Sequence, residues 1–443
     1  MLFWQDTDVG IDTFGRCRIS HLFGLLANVQ WGVNMSARRV VSSVFALYAI
    51  QGMQYVFPLL VLPIVTRAIG PDRYGTLSFW QALAALLTLF VEYGFGYSSI
   101  RAVNQTESSE RRSSIFWSTT WAKLLLLLPA TIMLAATASA IPARATMLLV
   151  FATWLPVLGA ALSPAWYYIA IRQTVAVAAV SAGTSFASLL AMFAFVRTPA
   201  DFNHAALIQL GMPLLAAIVL LLYQYLKLSP GRPYFDPRDV LARFREGFPL
   251  FMVSLSAGVY SSFNPFLLGL VTSSTQVADY ALGERIVRAA KNAVQPILVA
   301  MYPYAAEGER SSTVTRKNLW RAAIATLAVS VAIFIGLVVL APLAVRLLSG
   351  SAFLGAISTT QILSANVAII TAGNLLAVQY LIARGKERFV TVITVAAAPA
   401  HVISFMFAGR YYGAIGGAWA YVGIECLVTV ALGVVVNRLR KSA

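Results

Sequence analysis

Apolar and polar positions along this chain alternate on a long wavelength. Stretches of about 20 apolar residues recur about a dozen times between Val40 and Asn437, and each can cross a hydrocarbon core of ~30 Å as a helix. The polar breaks between them set the expected spans at 41–67, 76–98, 115–139, 144–168, 174–196, 204–227, 247–271, 277–304, 322–347, 356–382, 388–408 and 413–437. Lipid has no partner for a backbone N–H or C=O, so every crossing has to be helical. The pattern predicts an all-α polytopic membrane protein with about twelve transmembrane helices.

Composition agrees. Of 443 residues, 59% are hydrophobic and 11% charged, where a soluble domain carries ~25% charged residues. The net charge of +16 matters through its distribution. With a cytoplasmic N-terminus, one set of breaks holds Arg38, Arg39, Arg111, Arg112, Arg238, Arg243, Arg245, Arg316, Lys317, Arg384, Lys386, Arg438 and Arg440, among others. The other set holds Arg67, Arg73, Arg144, Arg197, Arg346 and Arg410. This positive-inside asymmetry places both termini in the cytoplasm. No basic run is long enough for a nucleic-acid arm, so nucleic acid is not an expected partner. Cys17 and Cys426 form no pairing pattern, and His21, His204 and His401 lack ligand spacing, so no metal or cofactor is expected.

Residues 1–34 differ from the rest. Asp6, Asp8 and Asp12 precede a weak apolar stretch, which is not a signal-peptide layout. Met35, followed by Arg38 and Arg39, is the expected start, with 1–34 an extension or a disordered tail. Beyond it, the Pro- and charge-rich stretch 229–246 falls midway along the spans. It reads as a cytoplasmic linker between an N-terminal six-helix lobe, 35–228, and a C-terminal one, 247–443. A duplication supports the halves. Phe57-Pro58-Leu59-Leu60 matches Asn264-Pro265-Phe266-Leu267 at an offset of about 207, and Asp72 falls on Asp279. Tyr168-Ile-Ala-Ile-Arg172 matches Tyr380-Leu-Ile-Ala-Arg384 at an offset near 212. Transporters with such repeats bind substrate between the halves.

Ionisable residues at membrane depth cost at least ~2.5–3.5 kcal/mol on insertion scales, so each should face a cavity or a partner. The eighth span concentrates Glu284, Arg285, Arg288, Lys291 and Asn292. Positions 284, 288, 291 and 292 share one helical face. Three cations against one carboxylate leave a surplus of about +2. Either Glu284 pairs with Arg288 while the others snorkel, or a cationic stripe faces a water-filled lumen. Lys123 in span 3 has the same two options. Glu92 in span 2 is either the partner of a buried cation or a proton site. His401 and Glu425 read as satisfied structural residues. Pro58, Pro63, Pro156, Pro164, Pro265 and Pro296 fall within spans and should kink them. Gln51, Tyr55 and Asn264, with Glu284 and Asn292, give a polar and aromatic set. Such a set suits an oligosaccharide or interhelical hydrogen bonds of ~0.6 kcal/mol each.

Several segments resemble a known family. They are Tyr48-Ala-Ile-Gln51-Gly52, Pro58 to Pro63 running on to Arg67-Ala-Ile-Gly70-Pro71-Asp-Arg-Tyr74-Gly75, and Glu92-Tyr93-Gly94-Phe95-Gly96 with Arg101. Ile115-Phe116-Trp117 with Lys123, and Pro164-x-Trp166-Tyr167-Tyr168, are softer matches. Together they resemble the Wzx-type polysaccharide flippases of the multidrug/oligosaccharidyl-lipid/polysaccharide exporter superfamily, over about residues 40–440. The resemblance implies two six-helix lobes around a central cavity, as in MATE-like carriers. It implies a place in the bacterial inner membrane, and transfer of undecaprenyl-diphosphate-linked oligosaccharide repeat units for polysaccharide biosynthesis. A polysaccharide polymerase and a chain-length regulator would be protein partners. In this reading Arg285, Arg288, Lys291 and Lys123 bind the diphosphate, Glu92 couples to protons, and no residue is catalytic. Two alternatives compete. A cation-coupled multidrug exporter of the same fold takes cationic substrates, which a cationic lumen repels. A membrane glycosyltransferase or polymerase needs paired acids or a large loop, and the chain offers neither.

Overall fold

The computed structural model describes residues 37–141, 144–227, 231, 233–306 and 313–441. The expectations for residues 1–34 lie outside this range. So do the side chains of Gln51 and Tyr55, although both residues are helical. Among the described residues the fold is built from helices with no strand. The first seven helices are α1 (Ala37–Glu92), α2 (Phe95–Asn104), α3 (Ser109–Ala140), α4 (Met147–Leu162), α5 (Ala165–Ala170), α6 (Thr174–Phe195) and α7 (Phe202–Lys227). They are followed by α8 (Pro237–Ser261), α9 (Asn264–Gly269), α10 (Ser274–Asn292), α11 (Gln295–Ala306), α12 (Thr313–Ser349), α13 (Gly355–Leu376) and α14 (Glu387–Lys441).

Eight helical stretches among the described residues are long and apolar enough to cross a membrane. Two of these, Leu59–Asn104 with 46 residues and Glu387–Leu439 with 53, are double length. At ~1.5 Å per residue each exceeds a ~30 Å core about twofold. Each also contains a glycine with positive φ that breaks the helix, Gly70 (φ 74) and Gly413 (φ 60). The expected spans 1–2 and 11–12 therefore run together as α1 and α14, joined at a glycine rather than a loop.

Other expected spans are divided, and prolines explain where. Span 4 splits into α4 and α5 at Pro164, span 7 into α8 and α9 at Pro265, and span 8 into α10 and α11 at Pro296. A proline lacks the N–H that an interior position needs, but fits the first turn of a new helix. Helix α8 starts ten residues before the expected span, at Pro237. Asp236 caps it by accepting from the Arg238 N–H at 2.8 Å, so part of the expected linker is helical. Spans 7 and 8 are not among the eight apolar stretches. Helix α10 carries Asp279, Glu284, Arg285, Arg288 and Lys291 within 19 residues.

Packing follows the small residues. Helices α4 and α7 pair along their lengths. A Cβ on Gly159 would stand 2.8 Å from the Leu214 nitrogen, so only glycine permits this approach. In lipid the burial of apolar surface does not drive helices together, so close packing of this kind holds the bundle. Helix α6 buries only Ala182 and Met192 of its 22 residues and turns Phe186, Leu190 and Phe193 outward, as a lipid-facing helix does.

The Glu92-Tyr93-Gly94-Phe95-Gly96 segment is a helix break. Tyr93 (φ 45) and Gly94 (φ 75) turn the chain from α1 into α2. Tyr93 stacks on Phe251 of α8 with ring centroids 4.6 Å apart, and Phe95 and Phe244 close the cluster. Each side offers a glycine for this approach, Gly94 and Gly247.

The segments around Tyr168 and Tyr380, matched in the sequence, end in similar turns. After α5, the Gln173 N–H reaches back to the Tyr168 carbonyl at 2.8 Å, with Arg172 left-handed (φ 62). After α13 and its π and 3-10 extension, the Lys386 N–H reaches the Leu381 carbonyl at 2.9 Å, with Gly385 left-handed (φ 67). These are the same helix-ending turn. It pairs Tyr168 with Leu381, one residue later than the sequence match.

Candidate functional site

Helix α10 carries most of the ionisable groups inside the bundle, and its two faces send them to different neighbours. Gly283 brings α10 against α13, where a Cβ would meet Thr360 Oγ1 at 3.0 Å. That contact turns Glu284, Val287, Arg288 and Lys291 toward a small cavity of ≈ 20 Å³, lined also by Leu363, Asn366 and Ile370 of α13 and Tyr421 of α14. Glu284 is buried, and its Oε1 lies 3.1 Å from Nη2 of Arg288, one turn along the same helix. Lys291, on the same lining, is partly buried.

Arg285 faces elsewhere. Its guanidinium donates to Gln81 Oε1 on α1 and lies 5.3 Å from the Tyr74 ring centroid, a cation–π contact. Gln81 in turn donates to Gln209 of α7. Residues spaced by three advance ~300° around a helix, so Arg285, Arg288 and Lys291 sweep across ~120° of α10 rather than one line. The surplus of about +2 read along α10 is therefore not the charge of the cavity. With Arg285 turned to α1, the cavity lining holds one carboxylate, Glu284, and two cations, Arg288 and Lys291.

Lys123 and Glu92 meet each other. Lys123 is 1% exposed. Its ammonium donates to Glu92 Oε1 at 3.0 Å and to the Ala160 carbonyl at 3.2 Å. This ties α1, α3 and α4 together, with the Glu92 side chain 39% exposed. Asn264 is fully buried, donates to the Tyr260 carbonyl, and presents Oδ1 to His401 Nε2 at 2.9 Å. The His401 ring packs against Tyr260, Phe405 and Tyr421. Asn292, the last residue of α10, is half-buried.

Of the expected site residues, the structure brings Glu284, Arg288 and Lys291 to one cavity and Lys123 to Glu92. Arg285 and Asn264 stand apart. Tyr421 and Gln81 were not singled out in the sequence. Tyr421 has a signal there, since it precedes Glu425 by one helical turn. Gln81 has none, because its role depends on α1 meeting α10.

At the end of the bundle away from Asp239, Arg144 donates to the Gly269 and Thr272 carbonyls at 2.8 and 2.7 Å. At the Asp239 end, that carboxylate accepts from Ser114 at 2.6 Å and pairs with Arg111 at 3.2 Å. The Ser114 hydroxyl and then the Arg111 charge hold the Asp239 carboxyl below the usual carboxylate range, against some desolvation.

This architecture defines a class, the all-helical multi-pass membrane proteins. The chain superposes on the lipid II flippase MurJ in an inward closed conformation with a TM-score of 0.71 at 10% identity, covering 89% of this chain and 87% of that one. A MATE in complex with MaD5 gives a TM-score of 0.55 at 15% identity, covering 88% and 92%. Within that fold the chain belongs to the polysaccharide biosynthesis protein family, whose model matches residues 40–309. It is 24% identical over 402 residues to a protein of Escherichia coli (strain K12) named "Putative O-antigen transporter", covering 89% of this chain and 95% of that one. A protein of the same name from Shigella dysenteriae is 26% identical over 392 residues, covering 88% and 98%.

Proposed function

We propose that this protein is a flippase that carries undecaprenyl-diphosphate-linked oligosaccharide repeat units across the bacterial inner membrane. Both termini are cytoplasmic, and the lobes 35–228 and 247–443 move about the linker 229–246. The curated relatives are named for O-antigen transport and MurJ for flipping lipid II, and the family serves polysaccharide biosynthesis. The observation that carries the reading is the pair Arg288 and Lys291 at a cavity inside the bundle. Arg288 and Lys291 offer charged N–H donors to the phosphate oxygens, and such hydrogen bonds are about twice as strong as neutral ones. The sugars cross along polar groups while the lipid tail stays in the bilayer. No bond is made or broken, so the protein is a carrier and not an enzyme. A polymerase and a chain-length regulator would act on the delivered units.

The test is a strain lacking the chain's gene, scored for surface polysaccharide, with diphosphate-lipid binding measured on purified protein. Arg288→Ala should weaken binding by ~1.5–3 kcal/mol. Arg288→Lys should rescue part, because an ammonium cannot grip phosphate through two parallel N–H bonds. A well-folded Arg288→Ala, Lys291→Met protein with full polysaccharide and unchanged affinity would refute the assignment.

A further inference from the structure

The first turns of α8 have two unlike faces. Arg238, Leu241, Arg245 and Phe248 are exposed, and spacings of three, four and three hold them within ~80° of one side of the helix. Val240, Arg243 and Gly247 are buried on the opposite side. The ions of the packed side are matched. Arg243 Nη1 lies 3.0 Å from Glu246 Oε2, and Asp239 takes Arg111 and Ser114 of α3. On the open side, neither the Arg238 nor the Arg245 guanidinium has an acceptor among the described residues. Two half-exposed aromatic residues, Tyr234 and Phe235, precede the stripe. The Phe235 ring meets Trp121 of α3 edge-on, with centroids 5.6 Å apart. Aromatic residues of this kind gather where a membrane meets water. At the other end of the stripe, Phe248 opens the apolar run 248–253. The stripe therefore runs from headgroup depth into hydrocarbon.

We infer that this face of α8 binds an anionic phospholipid of the surrounding leaflet, with its phosphate at Arg238 and Arg245 and an acyl chain along Leu241 and Phe248. The two arginines stand ~10 Å apart along the helix axis, and their long side chains can close on one headgroup from either end. Each offers paired N–H donors to phosphate oxygens. A zwitterionic headgroup brings its own cation and gains less from them. Leu241 lies between the arginines and gives the glycerol and acyl region an apolar contact, which a free inorganic anion does not use. A second copy of the chain is the wrong occupant. Across a two-fold interface the stripe would meet itself, setting four guanidinium groups together in a chain that already carries +16. The site lies on the outside of the bundle and does not depend on the reading of the cavity.

The experiment uses the full chain in detergent micelles doped with phosphatidylglycerol or phosphatidylcholine of the same acyl chains. Native mass spectrometry counts the lipid that each sample retains. Two arginines facing an anionic headgroup should favour phosphatidylglycerol by roughly 30-fold. The double variant Arg238→Gln, Arg245→Gln should lower that preference by about tenfold or more. Arg410→Gln removes an exposed arginine of α14 and should leave it unchanged. Inorganic phosphate should not displace the lipid. An equal preference in wild type and the folded double variant would overturn the inference, as would no preference in wild type. An equal loss in Arg410→Gln would reduce the effect to overall charge and refute it. Displacement by inorganic phosphate would make the face a plain anion site and refute it too. So would a wild-type dimer that the double variant turns into monomers. If the double variant does not fold, Arg245→Gln alone decides, and an unchanged preference refutes.

Discussion

Removing the charge of Glu92 should do more damage than removing its partner. The Lys123 ammonium lies 3.0 Å from Glu92 Oε1, an attraction of ~5–6 kcal/mol at an effective dielectric of ~20. Much of that offsets the several kcal/mol lost in taking an ammonium out of water. The partners differ in access, with side-chain exposures of 2% for Lys123 and 39% for Glu92. Glu92→Gln leaves a buried cation with a neutral amide and the Ala160 carbonyl as acceptors, and should destabilise by ~2–3 kcal/mol. Lys123→Met leaves a carboxylate that is less enclosed and can take a proton to become neutral, and should cost ~1 kcal/mol. The double substitution should recover to within ~1 kcal/mol of wild type, because no charge is then stranded. At ~2 °C per kcal/mol for a chain of this size, Glu92→Gln should melt on the order of 5 °C lower. Melting in detergent, followed by size-exclusion recovery after heating, reads the cycle. The reasoning fails if Lys123→Met is the more damaging single variant, or if the double variant is as unstable as the sum of the two.

Three further outcomes follow from local geometry. Gly94→Ala should lose ~2–4 kcal/mol, read as a lowered melting temperature. It forces a left-handed alanine and places a Cβ 2.8 Å from Leu250 Cβ, which is overpacking. Arg172→Gly should gain roughly 0.5–1 kcal/mol by relieving a left-handed arginine at a helix end, and an unchanged or lower melting temperature would contradict this. Asp239 has a lowered folded pKa, so its contribution is complete above the ordinary carboxylate range and is lost as pH falls through the lowered value. Asp239→Asn should therefore narrow the gap to wild type on acidification, as melting measured across that range will show.

The hydropathy pattern made the helical bundle legible because lipid leaves the backbone no other choice. It did not make the joints legible. Pro164, Pro265 and Pro296 were visible as residues, but a proline inside an apolar run can bend a helix or begin a new one. Which occurs depends on what receives the freed carbonyls, and that is tertiary information. Gly70 and Gly413 posed the reverse difficulty. Each sits in a short polar break that reads as a loop, yet the helix continues on both sides of a single left-handed residue.

Charge at the site was half legible for a related reason. The Glu284–Arg288 pair follows from one-turn spacing, and the structure keeps it at 3.1 Å. Arg285 looked like a third member of the same stripe, but spacing by three drifts around the helix and carried it to Gln81 and Tyr74. An ionisable group inside a bundle is compensated by whichever helix packs beside it, so counting charge along one helix measures a quantity that the fold does not conserve. The balance that matters is taken around the cavity. There Glu284 stands 3.1 Å from Arg288, so an incoming anion meets a guanidinium that is already engaged, with Lys291 beside it on the same lining.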